Sequence, residues 1–389
     1  MKITILNQLK EVNDLLRNYP DYVYSRNPKI IENEIPVFLF HTINPEIFEN
    51  QLQYLVTNGY TTLSINAFVS IIKAKEKLKA KSVLLTIDDA RTSFWKYGFP
   101  LLKKYNLKAT VFIIPGLTIE NKVRFNLENI WNRNISKNQL KEIDEFDANI
   151  CNWSEIREMY FSGLIDIESH SLFHRDVFIS KEIKGFVNEK SSFRPFNSSI
   201  QPYLTFNDIG KEITPNNYIG LPLFETDSLM NVPNHFVLTK DGIDFCKELA
   251  SASNTSVNYS KRKELIEKEI NKNDNFTKFI ENPSKELSED LMKSRDLIHQ
   301  KLNEKAGYHL CLPWTLGNSK TIEIAKELKF ESCFWGVLNK KNNKPGDDPY
   351  YMTRIKGDFI WRLPGVGRKK LFEIYMYKLS RRLNKEPVY

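Results

Sequence analysis

The sequence has no apolar run near the roughly 18 residues that a membrane-spanning helix requires, and its first thirty residues carry charges where an export signal would be apolar. Both absences lead to the expectation of a cytoplasmic protein with no signal peptide and no transmembrane segment. Cysteine is scarce: Cys151, Cys246, Cys311 and Cys333 are the only four in 389 residues, far apart and without the paired spacing of a zinc ribbon. A disulfide scaffold is thereby excluded, and a reducing compartment is expected. Internal repeats and low-complexity tracts are missing too. Histidine occurs six times, so a pair at ligand spacing stands out.

What is present is ordinary globular composition, 41% hydrophobic and 27% charged, which excludes a disordered chain or a coiled coil. The formal net charge is +8, and the excess gathers near the C-terminus in Arg368, Lys369, Lys370, Lys378, Arg381, Arg382 and Lys385 against Glu373 and Glu386. No basic and aromatic groove accompanies these cations, so a nucleic-acid partner is not expected. Apolar residues Leu371, Phe372, Ile374, Tyr375, Met376 and Leu379 lie among them. A basic C-terminal helix over 368–389 is expected, either docked on the domain or in peripheral contact with a membrane.

Along the chain, Ile5, Leu9, Val12 and Leu16 stand at helical spacing and predict an N-terminal helical extension over 1–34. From residue 35 short apolar runs alternate with helical stretches. Strands are read near Pro36, Thr61, Ser82, Ala109, Ile165, Tyr308 and Phe330, about seven in all. Near-continuous apolar strands in a β/α alternation indicate a parallel sheet covered on both faces, open or closed into a barrel, over 35–367. A mixed interval at about 180–300 reads as an insertion. Its last part predicts a helix with Leu287, Leu291, Ile298 and Leu302 near one face and Gly307 as C-cap.

Charge at the end of an apolar strand needs a reason, and SVLLTI ends in Asp88-Asp89. In parallel α/β folds functional groups gather at the C-terminal ends of strands. Neighbouring carboxylates point in different directions there, so one can hold a metal while the other accepts a proton. An Asp pair capping the next helix is the competing reading. A second strand, LIDIE, runs into His170-Ser171-Leu172-Phe173-His174. Two imidazoles four residues apart share one side of a helical turn and can chelate one ion. Asp89, His170 and His174 together suit a divalent metal, Zn²⁺ first, with positions open for water and substrate. Asp88 is then the adjacent base, and the chemistry is metal-assisted hydrolysis.

These segments resemble the polysaccharide deacetylase (NodB-homology) domains of carbohydrate esterase family 4, between about Pro36 and Gly336. LTIDDARTSFWKYGFPLLKKYNLKATVFIIPG is similar to the family's first motif, usually Thr-Phe-Asp-Asp-Gly, and WSEIREMYFSGLIDIESHSLFH to the approach and second motif, His-Ser/Thr-x-x-His. The resemblance implies a distorted (β/α)7 barrel with a large insertion. It implies Asp88 as catalytic base and Asp89, His170 and His174 as metal ligands, in a metal-dependent deacetylase acting on N-acetylhexosamine units of a cell-envelope polysaccharide or its precursor. Leu312-Pro313-Trp314 resembles the third motif, commonly Arg-x-Pro-Tyr, so Pro313 and Trp314 are expected at the substrate and oxyanion pocket.

This sequence departs from the pattern in three places. Cys311 stands where the third motif has arginine, and Arg91 is the candidate replacement. Ala90 replaces the usual glycine and constrains a tight turn. The late Leu-x-His motif is absent after Trp335, but FLFHTINPEIFENQLQYLVTNGYTTLS resembles the start of circularly permuted members, which makes His41 the general-acid candidate. Arg194-Pro195-Phe196 imitates the third motif without a strand before it and is read as a decoy. The missing arginine and the altered Asp-Asp-Ala leave a catalytically inactive glycan-binding protein as an alternative, and an O-acetyl ester as substrate is the other.

Overall fold

The computed structural model describes residues 18–142, 149–188, 191, 194, 196, 199–252 and 259–383. The predicted helix through Leu16 lies outside them, as do Pro195, Lys385 and Glu386.

Seven parallel staves build the domain. Strands β1 (Val37–Phe40), β3 (Ser82–Asp88), β4 (Ala109–Ile113), β5 (Ile165–Ser169), β10 (His309–Cys311), β11 (Ser332–Phe334) and β12 (Ile355–Lys356) lie in the order β11-β10-β5-β4-β3-β1-β12. Every pairing along this path is parallel. The stretch leading into β12 turns the sheet back on itself: Met352 forms a parallel bridge to Phe334 while Ile355 sits beside Phe38. The result is a distorted barrel. One expected stave is different, because β2 (Thr61–Thr62) is two residues long and pairs only with the start of β3. The seventh stave is residues 352–356, which the sequence reading passed over.

Alternation along the staves explains why the strands read as unbroken apolar runs. Val83, Leu85 and Ile87 of β3, Val111 and Ile113 of β4, and Ile165 and Ile167 of β5 share the cluster beneath the outer helices. The residues between them face inward, where Val37, Leu84, Phe112, Cys311, Phe334 and Met352 form a second cluster. Helix α1 (Ile65–Ile72) packs Ile65, Phe68, Val69 and Ile72 against that inner cluster. Ser64 caps its first turn, and the Asp166 carboxylate accepts the Ile65 N–H at 2.7 Å. The same parity turns Asp88, Cys311 and Arg354 inward, at the end of the barrel opposite α1.

The additional sheet begins two residues after His174. Strands β6 (Asp176–Phe186), β7 (Pro222–Ser228), β8 (Asn234–Leu238) and β9 (Thr277–Glu281) are antiparallel in the order β7-β6-β8-β9. Helices α2 (Lys240–Ala252) and α3 (Tyr259–Lys272) pack on it, with Cys246, Ile266 and Ile270 against Phe178, Phe224 and Phe236. Helix α4 (Ser284–Lys301) returns to the barrel with Leu287, Leu291 and Ile298 buried. Its C-cap is Leu302 rather than Gly307, whose φ of +79° instead starts the approach to β10 by donating its N–H to the Ile167 carbonyl. Helix α5 (Leu371–Leu383) closes the described chain.

Candidate active site

The β3 strand ends on Asp88, and the chain then reverses through two left-handed residues, Asp89 at φ +68° and Ala90 at φ +51°. Non-glycine residues in this region cost about 1–3 kcal/mol each and persist where the surroundings over-determine them. The turn brings the Asp89 carboxylate across the barrel mouth. Arg91 binds one of its oxygens, Oδ2, through Nε at 3.0 Å and Nη2 at 2.9 Å, and donates Nη1 to the Thr42 hydroxyl. Oδ1 is left facing the two imidazoles.

Those imidazoles lie on a loop, not on the expected helical turn: Ser171 and His174 are left-handed, at φ +63° and +53°. His170 Nε2 is 3.6 Å from Asp89 Oδ1, and His174 Nε2 is 4.0 Å from it. Two donors each about 2.1 Å from a zinc ion are roughly 3.4 Å apart at the tetrahedral angle, so this spacing fits a metal. The His170 Nδ1 donates to the Cys311 carbonyl at 2.9 Å, which fixes the tautomer with a lone pair on Nε2. His174 is oriented by packing instead, its Nδ1 having no partner among the described residues. The rings of His170 and Trp314 each lie 4.8 Å from it, edge to face. Burial first, and the His170 ring second, push the His174 pKa down to about 3, so this ring is a neutral donor.

Helix α4 holds this loop from behind. Asp290 Oδ2 accepts the Leu172 N–H at 2.9 Å, and the Ser294 and Ser169 hydroxyls are 2.7 Å apart. On the other side the Gly116 N–H donates to the Leu172 carbonyl, at a place where a Cβ on residue 116 would come within 2.5 Å of that oxygen. Asp290 is itself buried. Asp290→Ala is expected to weaken metal binding by roughly 10–100-fold, because it frees the backbone between the two histidines. Calorimetric titration of the apo protein with Zn²⁺ checks this, and an unchanged dissociation constant would refute it.

Asp88 belongs to a different set of contacts. Arg354 grips both its oxygens, Nη1 to Oδ1 at 2.7 Å and Nη2 to Oδ2 at 2.8 Å, and anchors itself by Nε on the Trp335 carbonyl. The Cys311 thiol lies 3.4 Å from Asp88 Oδ2 and accepts from Arg354 Nη2 at 3.1 Å. Burial, the largest single influence, would raise the Asp88 pKa, but the charge and hydrogen bonds of Arg354 together with His170 and His41 outweigh it and hold the carboxyl well below the usual range. Arg91 was expected in this role and does not take it, being committed to Asp89. The arginine that the third motif lacks at 311 arrives from the closing stave, residues 352–356 between β11 and β1, where a short segment with Met352 and Ile355 around Arg354 was its only signal.

The β1 register, Phe40 opposite Ile87, sets His41 beside Asp88. Desolvation pulls its pKa down to about 4 despite the fields of Asp89 and Asp88, so the ring is neutral at neutral pH. Pro313 is buried after β10. Trp314 follows in a left-handed conformation, φ +55°, with its indole N–H on Asp176 Oδ1 at 3.0 Å and 40% of its surface exposed. It therefore stands at the rim of the site with one face open. Phe196, from the segment read as a decoy, lies 3.8 Å over the Arg91 guanidinium.

The sequence profile of the family described as polysaccharide deacetylase matches residues 75–192. The poly-beta-1,6-N-acetyl-D-glucosamine N-deacetylase of Staphylococcus aureus (strain MRSA252) is 30% identical over 171 residues, 43% of this chain and 50% of that protein. YxkH of Bacillus subtilis (strain 168) is 27% identical over 152 residues, 37% of this chain and 44% of that protein. The chain thus spans about half the length of the curated relatives it matches. IcaB from Ammonifex degensii superposes with a TM-score of 0.48 at 16% identity, covering 88% of this chain and 100% of that one.

Proposed function

We propose, from the polysaccharide deacetylase profile that matches residues 75–192, that this chain removes acetyl groups from N-acetylhexosamine units of a cell-envelope polysaccharide or its precursor, with a divalent metal, Zn²⁺ first, as cofactor. The observation that carries the reading is the convergence of Asp89 Oδ1, His170 Nε2 and His174 Nε2 beside a separately held carboxylate, Asp88. Two imidazoles and one carboxylate are a donor set that suits zinc and leaves coordination open. Held by Asp89, His170 and His174, such a metal would supply Lewis acidity, polarising the acyl carbonyl and lowering the pKa of a water.

The protein's own groups then divide the work. Asp88, ionised and locked in position by Arg354, takes the proton from the attacking water. Trp314 and Pro313 wall the acyl group, with Trp314 pinned by Asp176. His41 starts neutral, so it protonates the leaving nitrogen only after gaining a proton during turnover, and the two carboxylates beside it favour that charged state. The inactive-scaffold alternative drew on the missing motif arginine and on the altered Asp-Asp-Ala, and the Arg354–Asp88 pair takes the first of these supports away.

Elemental mass spectrometry on the purified protein and on its Asp89→Ala and His174→Ala variants tests the centre. About one equivalent of zinc or a similar ion, lost in both variants, together with acetate release from β-1,6-linked N-acetylglucosamine oligomers, is the expected result. Absence of bound metal after reconstitution would overturn the reading. Acetate from O-acetyl sugars alone would reassign the leaving atom to oxygen.

A further inference from the structure

Helix α5 has two faces of opposite fate. One side is fastened to the barrel: Ile374 is buried, Tyr375 lies 6.4 Å from the Phe359 ring, and Lys378 is buried in an ion pair with Asp358 at 3.4 Å. Arg381, on the same helix, lines a small cavity together with His41, Thr42, Asn44 and Asp358. The other side is apolar and faces solvent. Phe372, Met376 and Leu379 form one stripe at i, i+4 and i+7, with 71%, 48% and 48% of their surfaces exposed. Val366 in the preceding turn is 82% exposed, and exposed Lys369 and Lys370 stand between it and the stripe.

Helices normally bury the apolar stripe and expose the charged one, so this arrangement needs an occupant. A second copy of the chain fits poorly. Three exposed side chains fall well short of the roughly 800 Å² per partner of a stable dimer, and the lysines beside the stripe favour an anionic partner over a like surface. Charge and shape match a lipid surface instead: an apolar ridge to enter the boundary between headgroups and acyl chains, with cations beside it for phosphate.

We propose that α5 seats the protein on an anionic membrane surface, with Phe372, Met376 and Leu379 inserted and Lys369 and Lys370 on the headgroups. Through Arg381 the same helix reaches the cavity beside His41. The proposal concerns binding alone and stands or falls apart from the deacetylase reading.

Co-sedimentation of the full chain with vesicles of phosphatidylcholine, alone or mixed with phosphatidylglycerol, is the test. Binding is expected only to the mixed vesicles and should weaken as salt rises. The pair Phe372→Glu and Met376→Glu should cut the bound fraction at least about tenfold, and Lys369→Ala with Lys370→Ala about tenfold. Because Phe372 and Met376 are exposed, thermal melting should be unchanged in the first pair, whereas the lysine pair also loses the contact of Lys369 Nζ over the Trp361 ring at 3.9 Å. No binding to the mixed vesicles, or binding that ignores both pairs, would overturn the proposal. So would a dimer in sedimentation velocity that Phe372→Glu dissolves, which would assign the stripe to a second copy.

Discussion

Asp88→Asn is expected to lower kcat/KM for acetate release by about 10²–10⁴-fold, the range over which a positioned general base contributes, while leaving the metal in place. The two effects separate because the three converging ligand atoms belong to Asp89, His170 and His174, and Asp88 spends both its oxygens on Arg354. Asparagine keeps the shape and one acceptor for the guanidinium but cannot take a proton. Metal content by elemental mass spectrometry and single-turnover acetate release on the same preparation check both halves. Activity within a few fold of the parent would remove Asp88 from the chemistry. Loss of the metal in this variant would show that Asp88 is a ligand.

The second large effect falls on stability. Asp88 and Arg354 are both buried, and breaking a buried pair by removing one partner typically costs about 3–5 kcal/mol, since the other charge is stranded away from water. Arg354→Met should therefore lower the free energy of unfolding by roughly that amount in a urea titration, and acetate release should fall with it because the base loses its mooring. Cys311→Arg added to this variant returns a guanidinium to the position where the resembling family carries one, and partial recovery of both properties is expected. Cys311→Arg alone should destabilise, because two arginines would then crowd one carboxylate. Equal stability of parent and Arg354→Met would mean the pair is solvated in solution and that its geometry does not matter to the fold.

Much of the site was legible because charge at a strand end has few structural excuses. Asp88-Asp89 after SVLLTI and His170 after LIDIE announced themselves against apolar background, and the structure brings all of them to one mouth with His174, His41, Pro313 and Trp314. What escaped was long-range. Arg354 lies in a five-residue stave with no apolar run to mark it, and its partner is set by barrel closure rather than by spacing. The histidine pair has helical spacing but lies on a loop, because left-handed Ser171 and His174 bend the chain where Asp290 and Gly116 grip it from both sides. Thr61 was counted as a stave since β-branched residues favour strands, yet its run stops after two residues. Parity was hidden as well: with both faces of each strand covered, inward and outward positions read alike, and only the structure shows that Arg354 and Asp88 share the inner face.

Barrel closure has a consequence for the order of assembly. Phe38 and Ile355 are neighbours across the final seam although nearly the whole domain lies between them in the chain. Contacts of such sequence separation carry a large loop-closure cost and form late. On the ribosome, six staves and the entire additional sheet emerge before residue 354 does. Until then Asp88 lies in an unclosed barrel open to water, without Arg354 to orient it, and the docking of one short strand both completes the hydrogen-bonded ring and delivers the guanidinium that grips both its oxygens. Maturation of the active site and the last step of folding become the same event.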